Sequence, residues 1–489
     1  MSTEIELKLK LDAKNARKLA EHPLLAGIKA ERLRLLNTYY DTPELALHKR
    51  QVALRFRQRG GDWLLTVKSA EPASGGLAVR SEWETFATPG RFDFNHVDAP
   101  ELRDFLDQAK PRLAAIFTTD FRRHVWRVPF GESLVELALD QGVIASGERR
   151  ERLCEIELEL IEGRVADIFG LARSLQKHLQ LYPAIDSKAE RGYRLFANET
   201  LQPFKTRRTA LNARMTPVEA FRRIALDCLE HFQRNEPGLQ DGGKPEFVHQ
   251  ARVALRRLRS AIKLFAPVLP PEFVQAYNRT WRALARVLGD ARNWDVFLAE
   301  TLPPLHAHFS AHRDLKRLRD CALRRARRAR RAVAYVLTLR AYPRLLVEFI
   351  AAVHTLSDAS SLSLKEFANE RLARHARRVR KLAEKMTAPD AADSHPLRIE
   401  FKKLRYATEF FASLLPANRL APHLAALNGL QDELGQINDY ATARTLLDEA
   451  LPNRAASAVH GWMLGRHTLL NERLPAALNN WLALRRLAV

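Results

Sequence analysis

The chain is poor in cysteine and in long apolar runs. Only Cys154, Cys228 and Cys321 occur among 489 residues. They show no metal-ligand spacing, and they are too few for a disulfide framework. That usage fits a reducing compartment, so the expected location is the cytoplasm. No run of about 18 apolar residues is present, so neither a membrane span nor a membrane partner is expected. The first residues are charged and form no apolar signal segment. The helical regions lack the H-E-x-x-H spacing that places two histidines on one metal.

What is abundant is charge, and it is unevenly placed. Residues 1–200 hold 31 Lys and Arg against 30 Asp and Glu, a net of +1. Residues 201–489 hold 48 against 27, a net of +21. A strongly basic half implies a polyanionic partner, such as nucleic acid, polyphosphate or anionic lipid.

The two halves also differ in period. Up to about residue 195, short alternating segments dominate, beginning with Glu4-Ile5-Glu6-Leu7-Lys8. Alternation puts Glu4, Glu6 and Lys8 on one strand face and Ile5, Leu7 and Leu9 on the other. Arg55, Arg57 and Arg59 share a parity, as do Thr66 and Lys68, then Arg80, Glu82 and Glu84. Glu136 and Asp140 follow, and then Glu155, Glu157 and Glu159. One such strand is most simply a wet sheet edge or face. Six of them, with carboxylates stacked two and three deep, carry a repulsion that needs cations between them. A closed antiparallel barrel of about eight strands with a polar interior resolves this. Its carboxylates supply hard oxygen ligands for Mg2+ or Mn2+. Its arginines and lysines receive a compact, multiply phosphorylated anion.

These segments resemble the CYTH, or triphosphate tunnel metalloenzyme, family. The resemblance rests on EIELK, LRFR (54–57), LTVK (65–68), TTDFRRHVW (118–126), ELALDQG (136–142), CEIELEL (154–160) and SKAERGY (187–193). It implies that Glu4, Glu6, Asp140, Glu155 and Glu157 are metal ligands. It implies that Lys8, Arg55, Arg57, Lys68, Arg123 and Lys188 bind triphosphate in a tunnel. The choice of Asp140 over Glu136, and of Arg123 over Arg122, comes from the resemblance alone. The implied reaction is metal-dependent hydrolysis of a terminal phosphoanhydride, giving diphosphate and phosphate.

From about residue 214 the pattern is helical almost to the end. It contains an internal repeat at an offset of 146: His249-x-x-Arg252 followed by VALRRLR reappears as His395-x-x-Arg398 followed by IEFKKLR. The same offset maps Leu288-Gly289 onto Leu434-Gly435. This predicts an all-α domain of two related helical bundles. His249, Arg252, Arg256 and Arg259 form one helical stripe, and His395, Arg398, Lys402 and Arg405 form its counterpart. A third basic tract, rich in arginine pairs, spans about residues 324–333. These motifs resemble the CHAD domain, a helical domain with conserved histidines, which is generally linked to polyphosphate. The stripes are interleaved with Ala, Leu and Val rather than stacking aromatics, which favours polyphosphate over nucleic acid.

The expected organisation is a tunnel domain at 1–197, a linker at 198–213 and a helical domain at 214–489. The expected function is an inorganic triphosphatase with a polyphosphate-binding helical domain. Hydrolysis of thiamine or nucleoside triphosphate, or a non-catalytic polyphosphate scaffold, are the alternatives. Oligomeric state is left open.

Overall fold

The computed structural model describes residues 2–70, 77–240, 244–309, 313–358, 362–384, 391–450 and 456–483. The chain divides into two compact units, residues 1–201 with 339–355, and residues 202–338 with 356–489.

The alternating segments of the first unit become nine strands: β1 (Ser2–Lys10), β2 (Glu31–Asp41), β3 (Val52–Arg59), β4 (Asp62–Ala70), β5 (Leu77–Phe86), β6 (Ala114–Phe130), β7 (Ser133–Ser146), β8 (Arg149–Glu162) and β9 (Tyr182–Pro183). Eight helices matter below: α1 (Val165–Leu175), α2 (Lys188–Phe196), α3 (Pro245–Leu264), α4 (Pro271–Val296), α5 (Arg313–Thr338), α6 (Ala341–His354), α7 (Ala391–Phe410) and α8 (Ala417–Ala450).

The strands form one antiparallel sheet in the order β5-β4-β3-β2-β6-β7-β8-β1-β9. This corrects the expected closed barrel of about eight strands: among the described residues the sheet has nine strands and is not closed into a barrel. The reason lies in β1, which is only nine residues long and is divided among its neighbours. Its residues Ser2–Leu7 pair with β5, Glu6–Lys10 pair with β8, and Leu9 and Lys10 also pair with β9. Only Glu6 and Leu7 have partners on both β5 and β8, so the seam there is partial and the sheet ends on β9.

The register aligns the polar parities across strands. Lys8 stands opposite Glu157, Ala138 opposite Glu157, Asp140 opposite Glu155, and Arg123 opposite Asp140. Tyr39 stands opposite Arg55, Arg55 opposite Thr66, and Lys68 opposite Glu82. Residues paired across a sheet share a face, so these charges belong to one surface. The other face is apolar. Leu54, Phe56, Leu65, Val67 and Trp83 pack there with Phe94, Val97 and Leu106, the last from the helix Pro100–Ala109.

Helix α1 packs on β6 and β8, and α6 packs on α1 and β9. α6 reads AYPRLLVEFIAAVH, and it buries Leu346, Val347, Phe349, Ile350 and Val353. His354 stacks on Phe169, and Arg344 donates to the Gln176 carbonyl at 3.0 Å. The first unit is therefore completed by a helix that begins at Ala341, 158 residues after its own last strand ends at Pro183.

The elements of the second unit are helices. α3 packs on α4 and α7, and α7 packs on α8. Its apolar core includes a cluster around Phe297, Leu305, Leu318 and Met463 and another around Leu397, Phe401, Leu430 and Trp481. Among the described residues, no helix is long and apolar enough to cross a membrane.

Candidate metal and anion sites

On β7 and β8, directly opposed backbone positions bring carboxylates side by side. Asp140 and Glu155 are both 0% exposed, and Glu157 is half-buried. One oxygen from each of Asp140, Glu155 and Glu157 lies within 4.8 Å of the others. Three shielded carboxylates at that spacing are costly unless cations share them.

Cations do surround them. Lys188, the first residue of α2, places Nζ 2.7 Å from Asp140 Oδ2, 2.6 Å from Glu155 Oε1 and 2.8 Å from Glu157 Oε1. Arg123 donates Nε and Nη2 to the two Asp140 oxygens, each at 2.7 Å, and Nη2 again to Glu157 at 2.5 Å. Lys8 lies 2.7 Å from Glu6 and 3.4 Å from Glu157. Burial pushes the Glu157 carboxyl up, but Lys188, Lys8 and Arg123 outweigh it and hold it well below the usual carboxylate range. Burial works against the Arg123 charge too, and Asp140 and Glu157 overcome it, raising its pKa well above the ordinary value.

Along β3, β4 and β5 the cations dominate. Arg55 donates to the Tyr39 hydroxyl at 3.3 Å and lies 3.5 Å from Glu82. Lys68 lies 2.8 Å from the other Glu82 oxygen. Arg57 donates to Asn37 Oδ1 at 3.0 Å, with Glu84 at 3.8 Å. Burial, then Arg55 and Arg123, lower the Arg57 pKa to about 10. An arginine whose charge its neighbours oppose in this way gains from a bound anion.

The first unit thus brings together Glu6, Lys8, Arg55, Arg57, Lys68, Arg123, Asp140, Glu155, Glu157 and Lys188 on one surface. Glu4 lies on β1 opposite Arg80, but its side chain falls outside the described residues. Three members were not read from the sequence as part of this surface. Asn37 and Tyr39 sit on β2, whose parity matches but whose side chains carry no charge. Arg191 sits one helical turn beyond Lys188. It donates Nε to Glu151 at 2.7 Å, Nη1 to Glu155 Oε2 at 3.1 Å and Nη2 to the Arg152 carbonyl at 2.7 Å. The i, i+3 spacing from Lys188 was its signal. Gly192, next along, lets α2 approach the sheet: a Cβ there would lie 2.1 Å from Phe117 Cε2.

In the second unit, parts of both histidine-led stripes meet. Arg252 on α3 feels the charges of Arg256 and Arg398, Arg398 on α7 feels that of Arg256, and Lys402 on α7 feels all three. Burial, then Arg398, Arg256 and Arg252, lower the Lys402 pKa to about 7. Burial, then Arg292, lowers that of His249. Arg292 on α4 and Asp439 on α8 complete the cluster, and burial pushes the Asp439 carboxyl up despite Lys402, Arg398 and Arg292. The second repeated motif was the signal for both, since the 146-residue offset maps Arg292 and Asn293 onto Asn438 and Asp439. Gly289 of that motif leaves space for Arg252, whose Nη1 would lie 2.9 Å from a Cβ, whereas the equivalent Gly435 faces open space.

The remaining stripe residues go elsewhere. Arg259 donates to Asn278 at 3.4 Å, and Arg405 pairs with Glu409 at 2.8 Å. The His395 side chain lies outside the described residues. Arg257, adjacent to Arg256, points the other way: it is buried, pairs with Glu409 at 2.5 Å and covers the Phe410 ring.

Comparison with known proteins agrees with this division. A CYTH domain matches residues 2–193 and a CHAD domain matches residues 223–448. The chain belongs to the CHAD family and carries a CYTH domain ahead of its CHAD domain. The crystal structure of the CHAD domain from the plant Ricinus communis is 35% identical, with a TM-score of 0.52, covering 58% of this chain and 98% of that one. An inorganic triphosphatase of Haemophilus influenzae is 35% identical over 202 residues, which are 41% of this chain. The match spans 57% of the length of that relative. The structure of a putative adenylyl cyclase, HpAC1 from Hippeastrum, described as having a dominant triphosphatase activity, is 20% identical with a TM-score of 0.32, covering 41% of this chain and 98% of that chain.

Proposed function

We propose that the charged face of the first unit binds inorganic triphosphate as its Mg2+ or Mn2+ chelate and hydrolyses it to diphosphate and phosphate. The observation that carries this reading is the shielded trio Asp140, Glu155 and Glu157 standing beside a field of arginines and lysines. All-oxygen carboxylate donors suit a hard divalent cation. Asp140, Glu155 and Glu157, with Glu6 and Glu4 from β1, would hold it. When bound, such an ion neutralises phosphoryl charge and activates water. Lys8, Arg55, Arg57 and Lys68 reach the chain of phosphoryl oxygens from three strands. Arg123 keeps its fork on Asp140 and holds its charge beside the carboxylates, where negative charge builds on the transferred group. The name of the Haemophilus relative supports the substrate class.

The basic cluster of the second unit, made by Arg252, Arg256, Arg292, Arg398 and Lys402, is read as a polyphosphate site. Its side chains offer phosphate contacts, and His249 stands at its edge. Arg259, His395 and Arg405 are kept as outer contacts of the same stripes.

The test is Glu155→Gln beside Glu6→Gln in the full chain. Each is expected to lower magnesium-dependent phosphate release at saturating tripolyphosphate by about 10²-fold or more, with little change in the thermal transition. Unchanged release by both variants would remove the metal-ligand reading.

A further inference from the structure

Lys188 does not sit among the anion-receiving arginines of β3. Its ammonium lies between the three carboxylates, at 2.6–2.8 Å from one oxygen of each. Those are the same three residues whose oxygens converge within 4.8 Å. A divalent ion taking oxygens of this trio needs the same lone pairs, at about 2.0–2.1 Å for magnesium. An ammonium and a divalent cation cannot hold them together, because their charges repel at that range.

We propose, building on the function above, that Lys188 is an internal competitor for the metal. Its ammonium fills the three-carboxylate site until a metal–triphosphate chelate arrives, then yields the carboxylates to the metal and passes to the phosphoryl oxygens. Metal alone therefore binds poorly, and metal with triphosphate binds well.

Each carboxylate has a second cation that allows the exchange. Asp140 keeps both prongs of Arg123. Glu155 keeps Arg191 on Oε2, and Lys188 uses Oε1. Glu157 keeps Lys8 and Arg123. When Lys188 leaves, no carboxylate loses its last counter-charge and none is released from its place. Arg191 is fixed by three bonds, whereas Lys188 carries its charge on a flexible stem with four rotatable bonds. The Phe121 ring, 5.3 Å from Nζ, offers the ammonium an apolar-cationic contact as it moves. The arrangement couples loading to substrate: the trio gives up its lysine to the substrate only when the chelate supplies both a replacement cation and a new anion.

The test is direct Mn2+ binding to the full chain, followed by the paramagnetic signal of free Mn2+, with and without the slowly hydrolysed imidotriphosphate. For the unaltered chain, imidotriphosphate is expected to tighten Mn2+ binding by at least about tenfold. Lys188→Met is expected to bind Mn2+ alone at least about tenfold more tightly than the unaltered chain and to lose most of that enhancement. Arg34→Gln, at an exposed ion pair with Asp120, is expected to behave as the unaltered chain. Equal or weaker binding of Mn2+ alone by Lys188→Met overturns the proposal. So does an unaltered chain whose Mn2+ affinity ignores imidotriphosphate, a result that needs no variant to fold. If tripolyphosphate is not hydrolysed but Lys188→Met still binds Mn2+ more tightly, the competition stands and the substrate reading falls. If tripolyphosphate is hydrolysed and Mn2+ binding is unmoved, the reverse holds.

Discussion

Arg123 and Asp140 face each other across β6 and β7 and are joined by a two-pronged ion pair, with both N···O distances 2.7 Å. The pair is directly cross-strand, so the fork is aimed by backbone register rather than by a loop. Lysine at 123 keeps the charge but cannot make the fork. Arg123→Lys is expected to lower phosphate release about 10²-fold and to destabilise the chain by about 1–3 kcal/mol through an underbonded Asp140. Steady-state kinetics and urea titration check both numbers, and wild-type values in either would contradict the aim assigned to this pair.

Gly192 tests the placement of α2. A methyl there collides with Phe117, so the helix that carries Lys188 and Arg191 must shift or the ring must move. Gly192→Ala is expected to cost about 1–3 kcal/mol and to reduce turnover about tenfold, since a displacement of about 1 Å at a positioned group is enough for such a loss. A variant with full activity and an unchanged melting transition would show that the close approach has no role.

Lys402 gives the second unit a pH dependence. Burial, then its arginine neighbours, hold its pKa near 7, so it is charged below that pH and neutral above it. A bound polyanion favours the charged form. Polyphosphate affinity is therefore expected to weaken from pH 6 to pH 8, and binding at pH 7.5 to take up protons. Without ligand the sign for stability is set by the unfolded lysine, which keeps its proton up to about pH 10.4. The unfolded chain binds more protons between the two values, so this group makes stability rise with pH across that window. Calorimetry in two buffers of different ionisation heat measures the uptake. Lys402→Met should reduce it, and an identical proton count in that variant would contradict the assignment.

Replacing Arg252, Arg256, Arg398 and Lys402 together with neutral residues separates a groove from diffuse attraction. The control removes Arg324, Arg325, Arg327 and Arg328, which lie exposed on α5. The first set is expected to weaken long-chain polyphosphate binding far more and to flatten its salt dependence. It should leave tripolyphosphate hydrolysis nearly intact. Equal losses from both sets would mean that only the net charge matters.

Much of this surface was legible because a strand has a period of two. Once Glu4, Glu6, Arg55, Arg57, Lys68 and Glu157 are assigned to strands, parity alone collects most of them. What parity does not carry is closure. β1 divides its nine residues among three neighbours, a choice made by length and register across the whole sheet, and the expected barrel was wrong for that reason. Asn37 and Tyr39 were missed because an uncharged side chain on a correct parity looks like any other strand residue. α6 was beyond sequence reasoning of this kind, since its apolar face names no partner and its contacts, on α1 and β9, lie far back in the chain. Of two adjacent arginines on α3, helical spacing assigned Arg256 to the stripe. It did not reveal that Arg257 is buried against Glu409.

The central claim is that the first unit hydrolyses inorganic triphosphate with a divalent metal held by Asp140, Glu155 and Glu157. Phosphate release from tripolyphosphate, ATP, thiamine triphosphate and long-chain polyphosphate, each with magnesium, with manganese and with chelator, tests it most directly. The account predicts release from tripolyphosphate well above the other three, present with either metal, absent with chelator and abolished by Glu155→Gln. Preferential release from ATP or thiamine triphosphate, or release from tripolyphosphate that survives the chelator, would contradict it.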